Sequence, residues 1–100
     1  MKKAIMVIHD IKSEKYVQPH VAETIAVAQR DFKAEATNKD GKTMLSRFPS
    51  DYNLVHVGWY DEQTAEVEGT PPEIATFGKH LDPNANPTLP LEQTELNSVN

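Results

Sequence analysis

Residues 48–74 read FPSDYNLVHVGWYDEQTAEVEGTPPEI, and the succession of residue types along them decides the fold class. Residues 53–60 are rich in β-branched and aromatic side chains, residues 61–64 are polar turn material, and residues 65–68 alternate small or apolar with acidic. Together they read as an antiparallel hairpin. Thr70-Pro71-Pro72-Glu73 then writes a helix start, with Thr at the N-cap, Pro at the first helical position and Glu closing a capping box. Ile74, Phe77 and Leu81 space a short amphipathic helix behind it, weakened by Gly78. On the strand, Val55, Val57 and Trp59 make the more apolar face and are expected to meet the helices, while Leu54, His56, Gly58 and Tyr60 line the other face.

Upstream, residues 3–11 form a strand with Ala4, Met6 and Ile8 on one face and Ile5, Val7 and Ile11 on the other. A strand apolar on both sides is usually covered on both sides. Residues 13–15 break it, and Tyr16-Val17-Gln18 begins a short second strand that Pro19 confines to an edge or ends; the two pair as a hairpin. The period then changes: Val21, Ile25, Ala28, Phe32 and Ala36 share one helical stripe, with Arg30 and Lys33 pointing away. Thr24 is the N-cap and residues 38–41 the stop. Residues 39–51 form a loop carrying Lys39, Lys42 and Arg47, with one helical turn over residues 43–47 and an extended Phe48 before Pro49.

The order strand, short strand, helix, hairpin, short helix gives an α+β fold. It is an antiparallel or mixed three- to four-stranded sheet with two helices on one face, ferredoxin-like in outline. Residues 1–81 make a single domain. Residues 82–100 are an acidic tail with three prolines and no periodicity, expected to be flexible. Two helices leave a sheet face partly uncovered, which marks an interaction surface and predicts a homodimer or higher symmetric oligomer.

One hundred residues suffice for one modest core. The chain has no cysteine, which excludes disulfides and thiolate metal sites. Its one apolar run near the start, residues 4–8, is too short for a signal-peptide core or a membrane span, so an intracellular protein with no membrane partner is expected. The net charge of −5 is unevenly spread: residues 1–50 hold nine Lys/Arg against six Asp/Glu (+3), and residues 51–100 hold one Lys against nine acids (−8). Such asymmetry predicts an electrostatically polar surface where the halves segregate.

No residue constellation announces a reaction, and no cofactor or metal is implied. His9, His20, His56 and His80 lack ligand spacing on any one element, whereas zinc needs several ligands converging. Asp61 and Glu62 are explained by hydrogen bonding to a turn backbone. The basic positions Lys12, Lys15, Arg30, Lys33, Lys39, Lys42 and Arg47, with Tyr52 and Tyr60 as stacking surfaces, are the candidate nucleic-acid-binding residues. Single-strand binding needs a basic groove and aromatic platforms, both present in the first sixty residues. The acidic net charge runs against it, since phosphate-binding proteins are normally basic.

At Ile8-His9-Asp10-Ile11-Lys12, Tyr16-Val17-Gln18-Pro19, Ala28-Gln29-Arg30-Asp31-Phe32, Phe48-Pro49-Ser50-Asp51-Tyr52-Asn53-Leu54 and Val57-Gly58-Trp59-Tyr60-Asp61-Glu62-Gln63-Thr64-Ala65, the chain resembles the small nonstructural protein of gokushoviruses, single-stranded DNA bacteriophages of the Microviridae. Ala65 stands where that pattern commonly has Gly, and His20 where it has an aromatic; the resemblance covers about residues 4–77. It implies a non-enzymatic role in the host cytoplasm, in replication or packaging of a single-stranded DNA genome, with binding of single-stranded DNA or of phage or host replication proteins. No catalytic residue comes with it. One alternative is a protein-interaction adaptor or host-modulating factor using the uncovered sheet face. A second is a metal-dependent nuclease: Val7-Ile8-His9-Asp10-Ile11 is similar locally to the small ferredoxin-like nucleases of CRISPR spacer acquisition, where an acid at this place holds a divalent metal across a dimer axis.

Overall fold

Strand β1 (Lys2–Asp10), apolar on both faces, takes an interior position in the sheet. It is flanked by β2 (Lys15–Ala22) and β3 (Tyr52–Asp61), and β4 (Val67–Phe77) lies outside β3. The order is β2-β1-β3-β4 with every neighbouring pair antiparallel. The computed structural model describes residues 1–83, so the expected tail lies, beyond Pro83, outside the described residues. Helix α1 (Ile25–Ala36) carries the chain from β2 to β3 over the intervening β1. This is the split βαβ arrangement of ferredoxin-like folds. The likeness stops at β4, which is reached by a hairpin and so brings no second crossover helix. The α+β class is as the sequence reads.

Helix α1 begins where its cap dictates: Thr24 Oγ1 accepts from the Val27 amide at 3.1 Å. Its buried residues Ala28, Phe32 and Ala36 recur every four positions, and the first two meet Ala4, Met6 and Leu54 to form the core. Ile8, Ile25, Leu45, Trp59 and Leu81 pack around that cluster, half-buried. Leu45 arrives on α2 (Met44–Arg47), a single turn closed by a reciprocal Thr43–Ser46 capping box. Tight 3-10 turns follow at Pro49–Asp51 and after β4 at Gly78–Leu81.

Three local expectations are overturned. The helix read from Thr70 is the continuation of β4, and only Gly78–Leu81 turns helically. Between Gly69 and Glu73 the β4 chain takes four steps while β3 takes two from Gly58 to His56, so Pro71 and Pro72 sit in a bulge of an edge strand. No ladder donor is needed from them there. A cap contributes about 1 kcal/mol, too little to withdraw Ile74 and Phe77 from a strand that pairs along its length with β3. Second, a bulge at Val57 against β1 inverts the expected faces of Leu54, Val55 and His56, while Gly58, Trp59 and Tyr60 lie as expected. Trp59, His56 and Leu54 lie on the helix side, and Val55, Gly58 and Tyr60 on the other. Third, β2 is the edge strand that Pro19 allows, but it continues to Ala22 past a bulge with Gln18 at φ 54°, which puts Val21 on a strand instead of the helical stripe.

Two backbone positions are sharply constrained. A Cβ on Gly78 would stand 2.0 Å from the carbonyl oxygens of both Pro49 and Tyr52, and the Gly78 amide donates to buried Asn53 Oδ1 at 3.1 Å. Gly78→Ala should therefore cost about 2 kcal/mol of unfolding free energy, as overpacking does, measurable by urea titration. Ala65 in the β3–β4 turn has φ 64°, a left-handed conformation costing a non-glycine residue about 1–2 kcal/mol. Glycine there also loses more chain entropy on folding, so Ala65→Gly should raise stability by a net of about 1 kcal/mol in the same titration.

Candidate functional site

Antiparallel pairing sorts the side chains into cross-strand rows. On the face away from α1 these are Lys3/Tyr60/Val67, Val21/Ile5/Gly58/Gly69, Val7/Val55/Ile74 and Tyr16/His9/Asn53/Phe77. No helix among the described residues covers them. Val7 and Val55 are buried by their own neighbours, whereas Tyr16 (56 %), Val21 (49 %) and Ile74 (42 %) are exposed around them. His9 and Tyr16 stack at 4.3 Å between ring centroids, 11° from parallel. The result is an apolar sheet face flattened at the Gly58–Gly69 row, where a Cβ on Gly58 would come within 2.4 Å of the Glu68 carbonyl oxygen.

The same topology gathers most of the basic candidates. The β1–β2 turn with Lys12, the first residue of β2 (Lys15), the last turn of α1 with Lys33, and the α1–α2 connection with Lys39 and Lys42 all lie at the end of the sheet where β1 finishes. The Ile11 amide donates to the Asp51 carbonyl at 2.9 Å, tying the β1–β2 turn to the segment after α2. Arg47 Nε donates to the Gly41 carbonyl at 2.9 Å. Lys39, Gly41, Arg47 and Pro49 line a cavity of about 460 Å³ there. Acids are interleaved, each held by a local donor: Asp40 by the Lys42 amide, Glu35 by the Thr43 hydroxyl and Asp82 by the Ser50 hydroxyl.

Arg30 and the two tyrosines stand apart from this group. Arg30, at mid-helix, pairs with neighbouring Asp31 at 3.3 Å. Tyr52 lies on the helix side of β3, half-buried against the core, and burial, followed by the charges of Asp10 and Asp51, pushes its phenol up from the ordinary value. Tyr60 is at the other end of β3 on the uncovered face, so the two rings do not form one platform. Asp10 lies in the helix-side row with Lys15 and Tyr52, and its carboxylate accepts from the Ser13 amide at 3.2 Å, as a turn-capping acid does. Among the described residues no group of three or more His, Cys, Asp or Glu converges as a metal site would require. No helix among them is long and apolar enough to cross a membrane. A smaller cavity over His56 and Thr70 has no counterpart in the sequence reading, where Thr70 serves as a helix cap; its one signal is a Pro-Pro step inside a β-rich segment.

The model of the family described as Phage ORF5 protein matches residues 3–80. The chain belongs to this family. The match includes all four strands and both helices, so every candidate residue lies inside it. No curated protein and no solved structure matches the chain.

At the opposite end of the sheet, the β3–β4 hairpin turn is held by Asp61, whose carboxylate accepts from the Gln63 amide at 2.9 Å. That hydrogen bond, ahead of the neighbouring amino terminus and Lys2, lowers its pKa below 3.8. Lys3 reaches both Glu23 and Glu62, which raise its pKa above 10.5. A lowered carboxylate contributes stability that is present above its unfolded value and lost as pH falls through the folded one; a raised lysine contributes below its unfolded value and loses it as pH rises. The stability advantage of wild type over Asp61→Asn should therefore shrink as pH falls below 3.8, and that over Lys3→Met as pH rises above 10.5. Thermal melts across pH check both limbs.

Proposed function

We propose that this phage protein is a nonstructural, non-enzymatic factor of the gokushovirus type, acting in the host cytoplasm in replication or packaging of a single-stranded DNA genome as a self-associating binder of single strands. The observation that carries the reading is the convergence of Lys12, Lys15, Lys33, Lys39, Lys42 and Arg47, from five separate segments, on one end of an otherwise acidic molecule. Local clustering of this kind sets the field that a polyanion meets, whatever the net charge. The resemblance of the sequence to gokushovirus nonstructural proteins, inside an ORF5 family match, supports the same reading. Tyr52 and Tyr60 drop out as paired platforms, so the binding is electrostatic and indifferent to base sequence.

Anisotropy of a labelled oligo(dT) at about 50 mM salt tests this. Log affinity should fall with log salt by roughly 0.7 per phosphate neutralised. Reversing Lys39, Lys42 and Arg47 together should flatten the slope by about 2, while Arg30→Glu, already paired at mid-helix, should change it little. Absence of binding at that salt would remove the reading.

A protein-interaction adaptor is the second reading, favoured by the apolar face that α1 leaves bare. In the first reading that face joins two copies, the two-fold pairing being the commonest closed solution. Light scattering at micromolar concentration should return a dimer or higher symmetric oligomer, and Val21→Glu with Ile74→Glu should return a monomer with unchanged circular dichroism. A monomeric wild type would leave the face to a different protein.

A further inference from the structure

Ile25, His56, Trp59, Thr70, Pro71 and Glu73 line a cavity of about 360 Å³ between the first turn of α1 and the proline bulge of β4. Two of its polar atoms are anomalous. His56 is only 6 % exposed and its Nε2 has no hydrogen-bond partner; Thr70 Oγ1 is likewise buried and unpartnered. Buried polar groups are almost always satisfied, so two orphans lining one cavity point to a group that completes them. The third polar side chain is Glu73, which lies opposite His56 in the β3–β4 register. Glu68 pairs with Lys2, and Glu23 and Glu62 pair with Lys3, but Glu73 makes no ion pair among the described residues. Trp59, set edge-on to His56 at 4.6 Å and 62°, and Pro71 supply apolar walls.

We infer that this cavity receives the guanidinium of an arginine presented by a basic protein partner. All three polar groups have acceptor capacity: a carboxylate, a hydroxyl oxygen, and the imidazole Nε2 in the tautomer with its proton on Nδ1. A guanidinium is a planar fork of five donors that stacks on indole and pairs with carboxylate, so it satisfies them together where an ammonium, a compact point charge, does not. The positive end of α1, about half a unit charge, opposes a cation, but the full charge of Glu73 outweighs it. Phosphate-bearing ligands fit poorly: residues 61–76 contain five acids and no Lys or Arg, and nearby Lys2 and Lys3 are already paired. The inference does not rest on the DNA-binding reading and uses the opposite charge.

Trp59 is the sole tryptophan of the chain and lines this cavity, so the tryptophan fluorescence comes from a wall of the site. Titrating the full chain with the peptide acetyl-Gly-Arg-Gly-amide should change that fluorescence saturably, and the same peptide with citrulline or lysine should bind at least about tenfold more weakly. Glu73→Gln should weaken the arginine peptide roughly tenfold, and Thr70→Val several-fold. Thr70→Val is isosteric and removes an unpartnered hydroxyl, so its melting temperature should equal or exceed that of wild type, which keeps the result readable. No saturable change, or affinity untouched by both variants, would overturn the inference. So would a change driven by oligo(dC) and abolished by Thr70→Val with none from the arginine peptide, which would assign the cavity to a nucleobase instead.

Discussion

One helix of twelve residues has to shield a four-stranded sheet, and most of the molecule follows from how it does so. Helix α1 packs one small residue, Ala28, and one large one, Phe32, onto the sheet, and Met6 and Leu54 are sealed beneath it. Each such side chain contributes about 1.5–3 kcal/mol on burial. That is enough to hold one layer on the other, and it uses only one face of β1. Ile5 and Val7 on the opposite face have no layer above them. Their burial comes from lateral neighbours, and the rim of Tyr16, Val21 and Ile74 stays in water. Apolar area left over from folding is what self-association draws on in the proposed function.

Topology, not local sequence, also turns a chain that is basic early and acidic late into a molecule with distinct ends. The split βαβ unit returns the chain twice to the end where β1 finishes, once at the β1–β2 turn and once at the α1–α2 connection. Every lysine placed in those connections lands together. The β3–β4 hairpin turns at the other end, bringing Asp61, Glu62, Glu66 and Glu68 beside Lys2 and Lys3, where three of those acids find partners. Glu73, further along β4 and in no ion pair among the described residues, borders the cavity proposed for arginine, so the two proposed ligands, a polyanion and a basic side chain, address surfaces of opposite sign.

Helix α1 was legible because cap and stripe agree: Thr24 caps it and Ala28, Phe32 and Ala36 bury as spaced. Strands β1 and β3 were legible by composition. Thr70-Pro71-Pro72-Glu73 was misleading because a proline pair after threonine satisfies a helix start and an edge bulge equally well, and only the partner strand distinguishes them. The faces of β3 were misread for a related reason. Alternation assumes an unbroken period of two, and one extra residue at Val57 leaves Gly58, Trp59 and Tyr60 as read but inverts residues 54–56 before it. Of the candidate site, the identities of the cations were readable but their convergence was not, since it depends on which ends of which strands meet. The cavity over His56 was hidden altogether, because Thr70 and His56 become neighbours only once β4 is a strand.

The bulges bear on assembly as well. Edge strands invite pairing with another chain through their free backbone groups. Here both edges carry proline at a bulge: Pro19 beside the left-handed Gln18 in β2, and Pro71-Pro72 in β4. A proline cannot donate to a ladder, and a bulge twists the edge away from a straight partner. Lateral extension of the sheet is therefore obstructed on both sides, over the middle of each edge. Face-to-face packing suffers no such obstruction, since the Gly58–Gly69 positions carry no side chain and the Val21/Ile5/Gly58/Gly69 row crosses all four strands. Self-association, in the proposed function, is thus directed to the face and closes at a dimer, because a second face of the same kind does not exist on the helix side.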